Sequence, residues 1–245
     1  MRRTITIVAA LVMSLNFVFA QNQGSDLLSD IENLPSRRSK KVPAYGFFKK
    51  ADFEAVGALN LGFHSLKSDA FTTSGLRSGQ IDFALFNAYL RPVSWFSLNV
   101  GADIAWDYYR SKDRRFDLDN ANNIVARDMT ADETKSKDRV SRITTTSFLF
   151  PATLRIYAGK WEFLAGAEAI LNLNASVHTS LLDGNTRTIT HTKGANVNRW
   201  GYDFIGALSY DGLGVFVKYM PETVRQFPEP GPSLERWTFG LRLGF

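Results

Sequence analysis

The chain has 245 residues, enough for one large domain or two small ones, and it contains no cysteine. The lack of cysteine excludes disulfides, thiol catalysis, cysteine-bound zinc and the lipid-modified cysteine of a bacterial lipoprotein. A net charge of +5, from 29 basic and 24 acidic residues, is too balanced to indicate a nucleic-acid-binding protein.

Residues 1–20 have the pattern of a secretory signal peptide. Arg2 and Arg3 form a basic start, an apolar stretch follows, and Val18-Phe19-Ala20 resembles a cleavage site. An uncleaved membrane anchor is the alternative interpretation. We expect an exported protein whose mature chain begins near Gln21.

Residues 21–51 show no clear periodicity. They contain a short amphipathic piece and the basic run Arg37-Arg38-Ser39-Lys40-Lys41. We expect a periplasmic N-terminal segment, which either contacts a partner or lipid headgroups or is a solvated linker.

From residue 52 to residue 245 the hydrophobic residues alternate with a period of two, which predicts strands. The last strand is the simplest case: it places Trp237, Phe239, Leu241, Leu243 and Phe245 on one face and small or polar residues on the other. A soluble sheet rarely ends with five large apolar side chains on one face. In a transmembrane barrel, lipid covers that face and the last strand pairs with the first.

The same alternation predicts eight strands in all. They are Phe53–His64, Ile81–Arg91, Phe96–Tyr109, Ile143–Tyr157, Trp161–Leu173, Arg199–Tyr210, Val215–Met220 and Arg236–Phe245. In the second strand Tyr89 falls on the predicted outer face, but Asn87 breaks that face, so a bulge or the opposite phase is expected. Pro151 in the fourth strand also predicts a bulge, because proline cannot donate to a neighbouring strand.

Short and long connections alternate strictly along this series. The short ones are 91–94, 158–160 and 211–214, and the long polar ones are 65–80, 110–142, 174–198 and 221–235. This is the pattern of an outer-membrane barrel, with short periplasmic turns, long extracellular loops and both mature termini in the periplasm. The predicted fold is therefore all-β: one antiparallel up-and-down transmembrane barrel of about eight strands, spanning residues 52–245.

Aromatic residues cluster at the predicted strand ends, as the two interfacial belts of a membrane barrel require. The turn-side set is Tyr89, Trp95, Tyr157, Trp161, Tyr210 and Phe245. The loop-side set is Phe63, Trp106, Tyr108, Trp200, Tyr202, Tyr219 and Trp237.

These features resemble the small outer-membrane β-barrels of Gram-negative bacteria, the OmpA/OmpX-like group, and within it the PorT-like barrels of Bacteroidota. The resemblance rests on the leader, on the hairpin of residues 151–161 and on the ending Phe239-Gly240-Leu241-Arg242-Leu243-Gly244-Phe245. That ending resembles the signal by which the barrel-assembly machinery recognises its clients, carried here by Phe239, Gly240, Leu241, Leu243 and Phe245. The resemblance implies an architecture but no single function, since the group includes structural proteins, adhesins, channels and enzymes.

The predicted inner face is rich in charge. It carries the acids Glu54, Asp82, Asp103, Asp107, Glu162, Glu168 and Asp203, and the bases Arg155, Lys218, Arg236 and Arg242. The interior of an eight-stranded barrel is just wide enough for side chains, so a packed salt-bridge network is expected. An ion path or a proton relay past Asp103 and Asp107 is the alternative. We predict two specific pairs, Arg155 with Glu162 across a tight turn and Glu54 with Arg242 across the closing seam.

One candidate for catalysis lies in the third long connection. His178-Thr179-Ser180 resembles the His-x-Ser element of outer-membrane lipid A deacylases, in which the histidine activates the serine for acyl transfer. Asp183 or Glu168 would have to supply the acid. A solvent-exposed pair without catalytic function is the simpler interpretation, and we find no pattern for a metal or cofactor.

The second long connection, residues 110–142, is dense in charges of both signs. It either binds a surface partner or lipopolysaccharide, or it is a hydrated loop. Together these observations predict a non-catalytic outer-membrane scaffold that acts through its external loops or its periplasmic segment. A role as an accessory part of an envelope or secretion complex is what the resemblance to the small outer-membrane barrels implies. A narrow channel and a lipid A-modifying enzyme are the alternatives.

Overall fold

The computed structural model describes residues 51–54, 58–72, 77–130, 133–134, 139–183 and 186–244. The predicted signal peptide, and the N-terminal segment up to residue 50, lie outside these ranges. Within them, no helix is long and apolar enough to cross a membrane.

The described residues form twelve strands. They are β1 (Ala51–Glu54), β2 (Ala58–Lys67), β3 (Gly79–Val93), β4 (Phe96–Ser111), β5 (Arg114–Leu118), β6 (Ile124–Asp128), β7 (Val140–Ala158), β8 (Trp161–Asp183), β9 (Thr186–Ala195), β10 (Trp200–Tyr210), β11 (Leu213–Met220) and β12 (Glu235–Gly244).

Eight of these strands close into an antiparallel ring in chain order. The ring runs β2, β3, β4, β7, β8, β10, β11 and β12, and β12 pairs back onto β2 from Glu235 opposite Lys67 to Gly244 opposite Ala58. β1 pairs with the far half of β3, so it continues the course of β2. The prediction of an all-β, up-and-down barrel of eight strands is confirmed.

The two ends of the barrel differ, as the connection lengths predicted. At one, the turn end, two-residue turns at 94–95, 159–160 and 211–212 join neighbouring strands. Asp211 and Gly212 both have positive φ, 50° and 89°, which is the type I′ geometry that joins twisted strands tightly. The other end, the loop end, carries the four long connections.

The barrel is apolar outside and polar inside. Large outward side chains remain exposed on every strand of the ring, among them Phe63, Val100, Leu154, Phe204 and Leu241. β10 shows the dimensions: Trp200 and Tyr210 mark its two ends, and the ten residue-to-residue steps of tilted strand from one to the other span about 25 Å across the barrel wall. That distance matches the apolar band of a membrane barrel.

Two aromatic residues depart from the predicted turn-side outer set. Tyr157 follows the inward face of β7, with its hydroxyl 3.3 Å from Ser97 Oγ, and Tyr89 departs through a bulge. Tyr89 is buried inside the barrel, not on the outer face, and it does not belong to the turn-side aromatic set. The cause is a bulge in β3: Ala84 pairs with Asp103 but Phe86 pairs with Ala102, so the strand reverses its phase at Leu85. The bulge that Asn87 suggested is therefore present, and it turns Asn87 and Tyr89 inward together.

Pro151 behaves differently from the prediction. It pairs in register with Glu168 of β8, so no bulge forms at the proline. On the β4 side, pairing skips from Val100–Ala152 to Asp103–Leu149 without a register shift. The missing donor of the proline thus falls where the ladder is interrupted. The register shift between β7 and β8 lies instead at Thr146 and Ser147.

Two of the predicted loops contain strands. Residues 174–198 were predicted as a loop, but β8 continues to Asp183 and β9 returns beside it. Residues 110–142 contain the β5–β6 hairpin, which forms a sheet of its own. Both stretches are polar, yet threonine and valine favour strands, so polarity alone was a poor guide to loops here.

The closing seam contains a close contact between backbone and ring. Gly62 of β2 and Gly240 of β12 lie opposite each other and face inward, and the ring of Phe216 covers both. A Cβ on Gly240 would lie 2.1 Å from the carbonyl oxygen of Leu61 and 2.6 Å from the Phe216 ring. The space that closes the barrel at this point is therefore available only to glycine.

We predict that Gly240→Ala destabilises the barrel by about 1–3 kcal/mol, because the methyl group displaces Phe216 and the seam. Gly244→Ala is the matched control on the same strand, since its Cβ would meet nothing closer than 3.5 Å. Urea unfolding of the two refolded variants measures the difference. Equal midpoints for both variants would contradict this account of the seam.

Candidate functional site

The inner face forms a network of ion pairs centred on Arg236 of β12. Its guanidinium donates to Asp107 at 3.0 Å, to Asp203 at 3.2 Å and to the hydroxyl of Tyr109 at 2.6 Å. All four groups are buried. Arg236 thus ties β12 to β4 and to β10 across the interior.

His64 of β2 also belongs to the group of side chains around Arg236, which is the upper layer of the interior network. Its Nε2 lies 3.2 Å from Asp107, its Nδ1 lies 3.0 Å from the hydroxyl of Thr238, and its ring stacks on Tyr109 at 5.3 Å. Alternation alone places His64 inward, but its contact with Asp107 could not be predicted, because the two residues meet only through the β2–β3–β4 register.

A second layer surrounds Lys218 of β11. Its ammonium lies 2.9 Å from Asp82 and 2.7 Å from Glu168, and all three side chains are buried. The amide of Asn60 donates to the remaining oxygen of Asp82. Cations from β11 and β12 therefore hold carboxylates from β3, β4, β8 and β10 across the interior.

The turn end of the interior carries the predicted pair of Arg155 and Glu162, 3.0 Å apart. The Arg155 guanidinium also lies over the ring of Tyr89, 4.9 Å from its centre. Arg242 faces inward and donates to Asn60 at 3.4 Å. Its predicted partner Glu54 has a side chain outside the described residues, so that pair stays a prediction.

Asp103 lies beside a small cavity between these layers. The cavity is lined by Asn99, Asp103, Arg155, Glu168 and Arg242, among others, and its volume of about 10 Å³ corresponds to roughly one water site. A passage for hydrated ions would need far more room. Among the described residues, the interior beside Asp103 is therefore a packed polar core around a small gap.

Above this network, the loop end folds into an apolar core of its own, which we call the head core. Its buried members are Phe71, Tyr109, Phe116, Ile124, Ile143, Ala175, Val177, Ala195, Met220, Val224, Phe227 and Leu234. All four long connections contribute to it. Phe71 packs edge-on against Phe116, and Phe227 packs edge-on against Tyr109.

The head core is linked directly to the interior network. The hydroxyl of Tyr109 donates to Gln226 of the last connection at 2.6 Å, and Gln226 donates in turn to Thr145 of β7. The loops therefore cover the mouth of the barrel and bond to the side chains below it. Isolated aromatics in polar stretches, Phe71, Phe116 and Phe227, were the sequence signal for this cap.

The charges of the second connection also pair mainly with one another. Arg127 donates to Glu133 at 2.7 Å and to Asp117 at 2.6 Å, while Arg115 bonds to the same two acids. These hydrogen bonds, led by that from Arg127, lower the pKa of Glu133 to about 2. The described part of this connection is an ordered hairpin with an internal ion network.

His178 and Ser180 share one face of β8, as the period of two predicted. However, Ser180 accepts a hydrogen bond from Arg187 at 3.0 Å, and the nearest ring to His178 is His191, with centres 6.1 Å apart. Glu168 is bound to Lys218 inside the barrel, and the side chain of Asp183 lies outside the described residues. The described contacts thus do not assemble a catalytic triad.

The predicted assembly signal forms the outer face of β12. Phe239, Leu241 and Leu243 are exposed on the outside, next to Phe63, Leu61 and Leu59 of β2. Gly240 faces inward under Phe216, and Phe245 lies outside the described residues. In the described chain, no group of three or more His, Cys, Asp or Glu residues could hold a metal ion.

Neither protein-family models nor curated proteins provide a match to this chain.

Replacing Lys218 with methionine should destabilise the barrel by about 3–5 kcal/mol, because Asp82 and Glu168 would keep buried charges without a cation. Lys160→Met is the matched control. Lys160 pairs with Asp211 at 3.1 Å, but both side chains are largely exposed, so little loss of stability is expected.

Urea unfolding of both lysine variants gives the comparison. Adding Asp82→Asn to Lys218→Met should recover part of the loss, because it removes one of the two uncompensated charges. Similar stabilities for Lys218→Met and Lys160→Met would refute the buried ion cluster.

The depressed pKa of Glu133 predicts an acid-sensitive hairpin. Its contribution to stability is complete above the ordinary pKa of 4.5 and is lost as the pH falls from about 4.5 to about 2. Hydrogen-exchange protection of β5 and β6 should fall over that range, and Glu133→Gln should abolish the pH dependence. Glu229→Gln, which affects only the exposed pair with Arg225, should leave it unchanged.

Proposed function

We propose that this chain is an integral outer-membrane β-barrel with a closed interior, which acts as a non-catalytic scaffold through its loop end. The observation that carries the proposal is the inverted distribution of side chains around a closed ring. Charges such as Arg236 and Lys218 are buried inside, while large apolar residues face outward on every strand. Lipid is the solvent that makes this distribution favourable.

The outward aromatic residues support the membrane assignment. Trp95, Trp161 and Tyr210 lie at the turn end, and Trp200 and Trp237 lie toward the loop end. Amphipathic rings at two levels are typical of a barrel anchored in both interfaces. The resemblance to OmpA/OmpX-like and PorT-like barrels agrees with this arrangement, with the turns on the periplasmic side and the loops outside.

The closed interior supports a scaffold over a channel. The ion network and the head core occupy the space through which solutes would pass. The hydrogen bond from Arg187 to Ser180 speaks against a lipid A-modifying enzyme at this position. The loop end, by contrast, offers an ordered hairpin, and the side chains of residues 186–194 on β9 are all exposed.

We propose further that the outer face of β12 and its Phe245 serve as the signal read by the barrel-assembly machinery, and that an envelope protein binds at the loop end or at the N-terminal segment. An edge strand such as β9, which pairs only with β8 among the described strands, is a surface on which a partner can add a strand.

Two measurements test the proposal. First, the chain has no native cysteine, so Thr188→Cys at the loop end and Lys160→Cys at the turn end each carry one label site. An impermeant maleimide should label Thr188→Cys on intact cells, and should label Lys160→Cys only after the outer membrane is opened. Equal labelling of both positions on intact cells would refute the membrane orientation.

Second, the refolded barrel in planar bilayers should show no steady conductance. Reproducible steps that change with Asp103→Asn or Asp107→Asn would refute the closed interior and make the alternative, a narrow channel, the function. The variants Lys67→Gln and Arg225→Gln, at exposed loop-end positions, control for charge effects at the mouth.

A further inference from the structure

A row of basic side chains crosses the outer surface of the loop end, and the ion networks described above do not use it. Its members are Arg77, Arg110, Arg142, His178 and His191, which we call the basic row. Register places Arg110 opposite Arg142, Arg142 opposite His178, and His178 opposite His191. Arg77 directly precedes Ser78, whose hydroxyl accepts a hydrogen bond from the backbone N–H of Arg110.

The basic row continues the lipid-facing side of the barrel. On β4, Arg110 follows Tyr108, Trp106 and Ile104 on the same face. β7 runs antiparallel to β4. Arg142 lies on the same face of β7 as Thr144, Thr146 and Phe148 and nearer to the loop end, while the alternate residues Ile143 and Thr145 point inward. Arg110 therefore lies only about 7 Å along the strand beyond the last aromatic ring, at the depth of lipid headgroups.

The row carries positive charge without a matching acid. None of its five residues forms a salt bridge with an acid among the residues that the structure describes, a set that leaves out Asp132 and Asp138. By comparison, Arg114, Arg115 and Arg127 in the nearby hairpin are all paired with acids. Neighbouring strands lie about 4.8 Å apart, so the row extends over about 20 Å, with the positive charges of Arg77, Arg110 and Arg142 at one end and the two histidines at the other.

The polar atoms of the row are also poorly satisfied. Arg142 Nε and His178 Nδ1 are buried and have no hydrogen-bond partner in the described structure. Burial lowers the pKa of His178, and the positive charge of Arg142 lowers it further. Like charges that crowd together and leave donors unbonded are costly unless an anion lies among them.

We propose that the basic row binds the phosphate groups of an anionic lipid in the outer leaflet, so that the barrel holds phosphorylated glycolipid against β4, β7 and β8. This inference rests on the membrane placement proposed above. Arginine forks bond phosphate oxygens in pairs, and a neutral histidine adds one N–H donor. The lipid's acyl chains would then cover the apolar face directly below, at Ile104 and Phe148.

The test compares lipids that differ only in phosphate. The full chain is refolded into phosphatidylcholine vesicles, and binding of diphosphoryl lipid A and of dephosphorylated lipid A is titrated separately. The wild-type chain should prefer the phosphorylated form. Arg110→Gln combined with Arg142→Gln should weaken its binding by a factor of about 10 to 30, while the binding of the dephosphorylated form stays unchanged.

Three variants control the result. Arg114→Gln with Arg225→Gln removes the same charge from paired positions at the loop end and should bind as the wild type does. Arg110→Lys with Arg142→Lys keeps the charge and should keep most of the affinity. Arg77→Gln, at an exposed position outside the strands, should lose a factor of about 5, and it tests the row even if the double variant fails to fold.

Equal binding of both lipid forms by an inserted wild-type chain would overturn the proposal while leaving the membrane placement intact. Failure of the wild-type chain to insert at all would instead refute the proposed function. Inorganic phosphate is the last arm, and it should compete only weakly. If it bound tightly and displaced the lipid, the row would be a site for a soluble anion, and the lipid assignment would be wrong.

Discussion

Closure of the ring between β12 and β2 is the constraint on which the rest of the structure depends. Ten residue pairs, from Glu235–Lys67 to Gly244–Ala58, bond the seam and leave no free edge in the eight-stranded ring. A closed ring of eight strands has a narrow interior, which fixes how much side-chain volume each inward position can hold. Gly62 and Gly240 show that limit locally. Both strands lie so close to the aromatic ring of Phe216 that neither position has room for a Cβ.

Closure also explains why the charges are inside. On the proposed membrane placement, the interior is the only place where polar side chains can pair with one another, and each must find a partner there. Arg236 and Lys218 each bind two carboxylates from strands on different sides of the barrel. These pairs act as cross-links through the interior. The residues that fill the barrel therefore also oppose its flattening or collapse.

The sequence predicted the barrel well because alternation is a local property. The eight strands, the direction of nearly every side chain and the pair of Arg155 with Glu162 all follow from a period of two and from short turns. Prediction failed where one residue changes the phase: the bulge at Leu85 moves Tyr89 from the outer face to the interior. It failed again at residues 174–198. The threonine-rich strands there are polar, and polar stretches were predicted as loops.

The loop end could not be predicted for a different reason. The head core joins residues from four connections, such as Phe71 with Phe116 and Tyr109 with Phe227, that share no pattern in the chain. The basic row is likewise invisible in sequence, because Arg110, Arg142 and His178 lie 32 and 36 residues apart and align only through strand register. Local patterns predict faces, whereas the identity of neighbours on a face depends on register.

The barrel wall and the loop end differ in how strongly the fold constrains their residues, and this difference bears on where a function can lie. The barrel wall and its interior are constrained by closure and by charge pairing, so their residues already have structural roles. The loop end has its own hydrophobic core, so the residues on its outer surface are not needed to stabilise the fold. An exposed strand such as β9, and cations that no described acid neutralises, lie on that outer surface. In a closed barrel of this kind, the loop end and not the interior is therefore the surface at which a partner would bind.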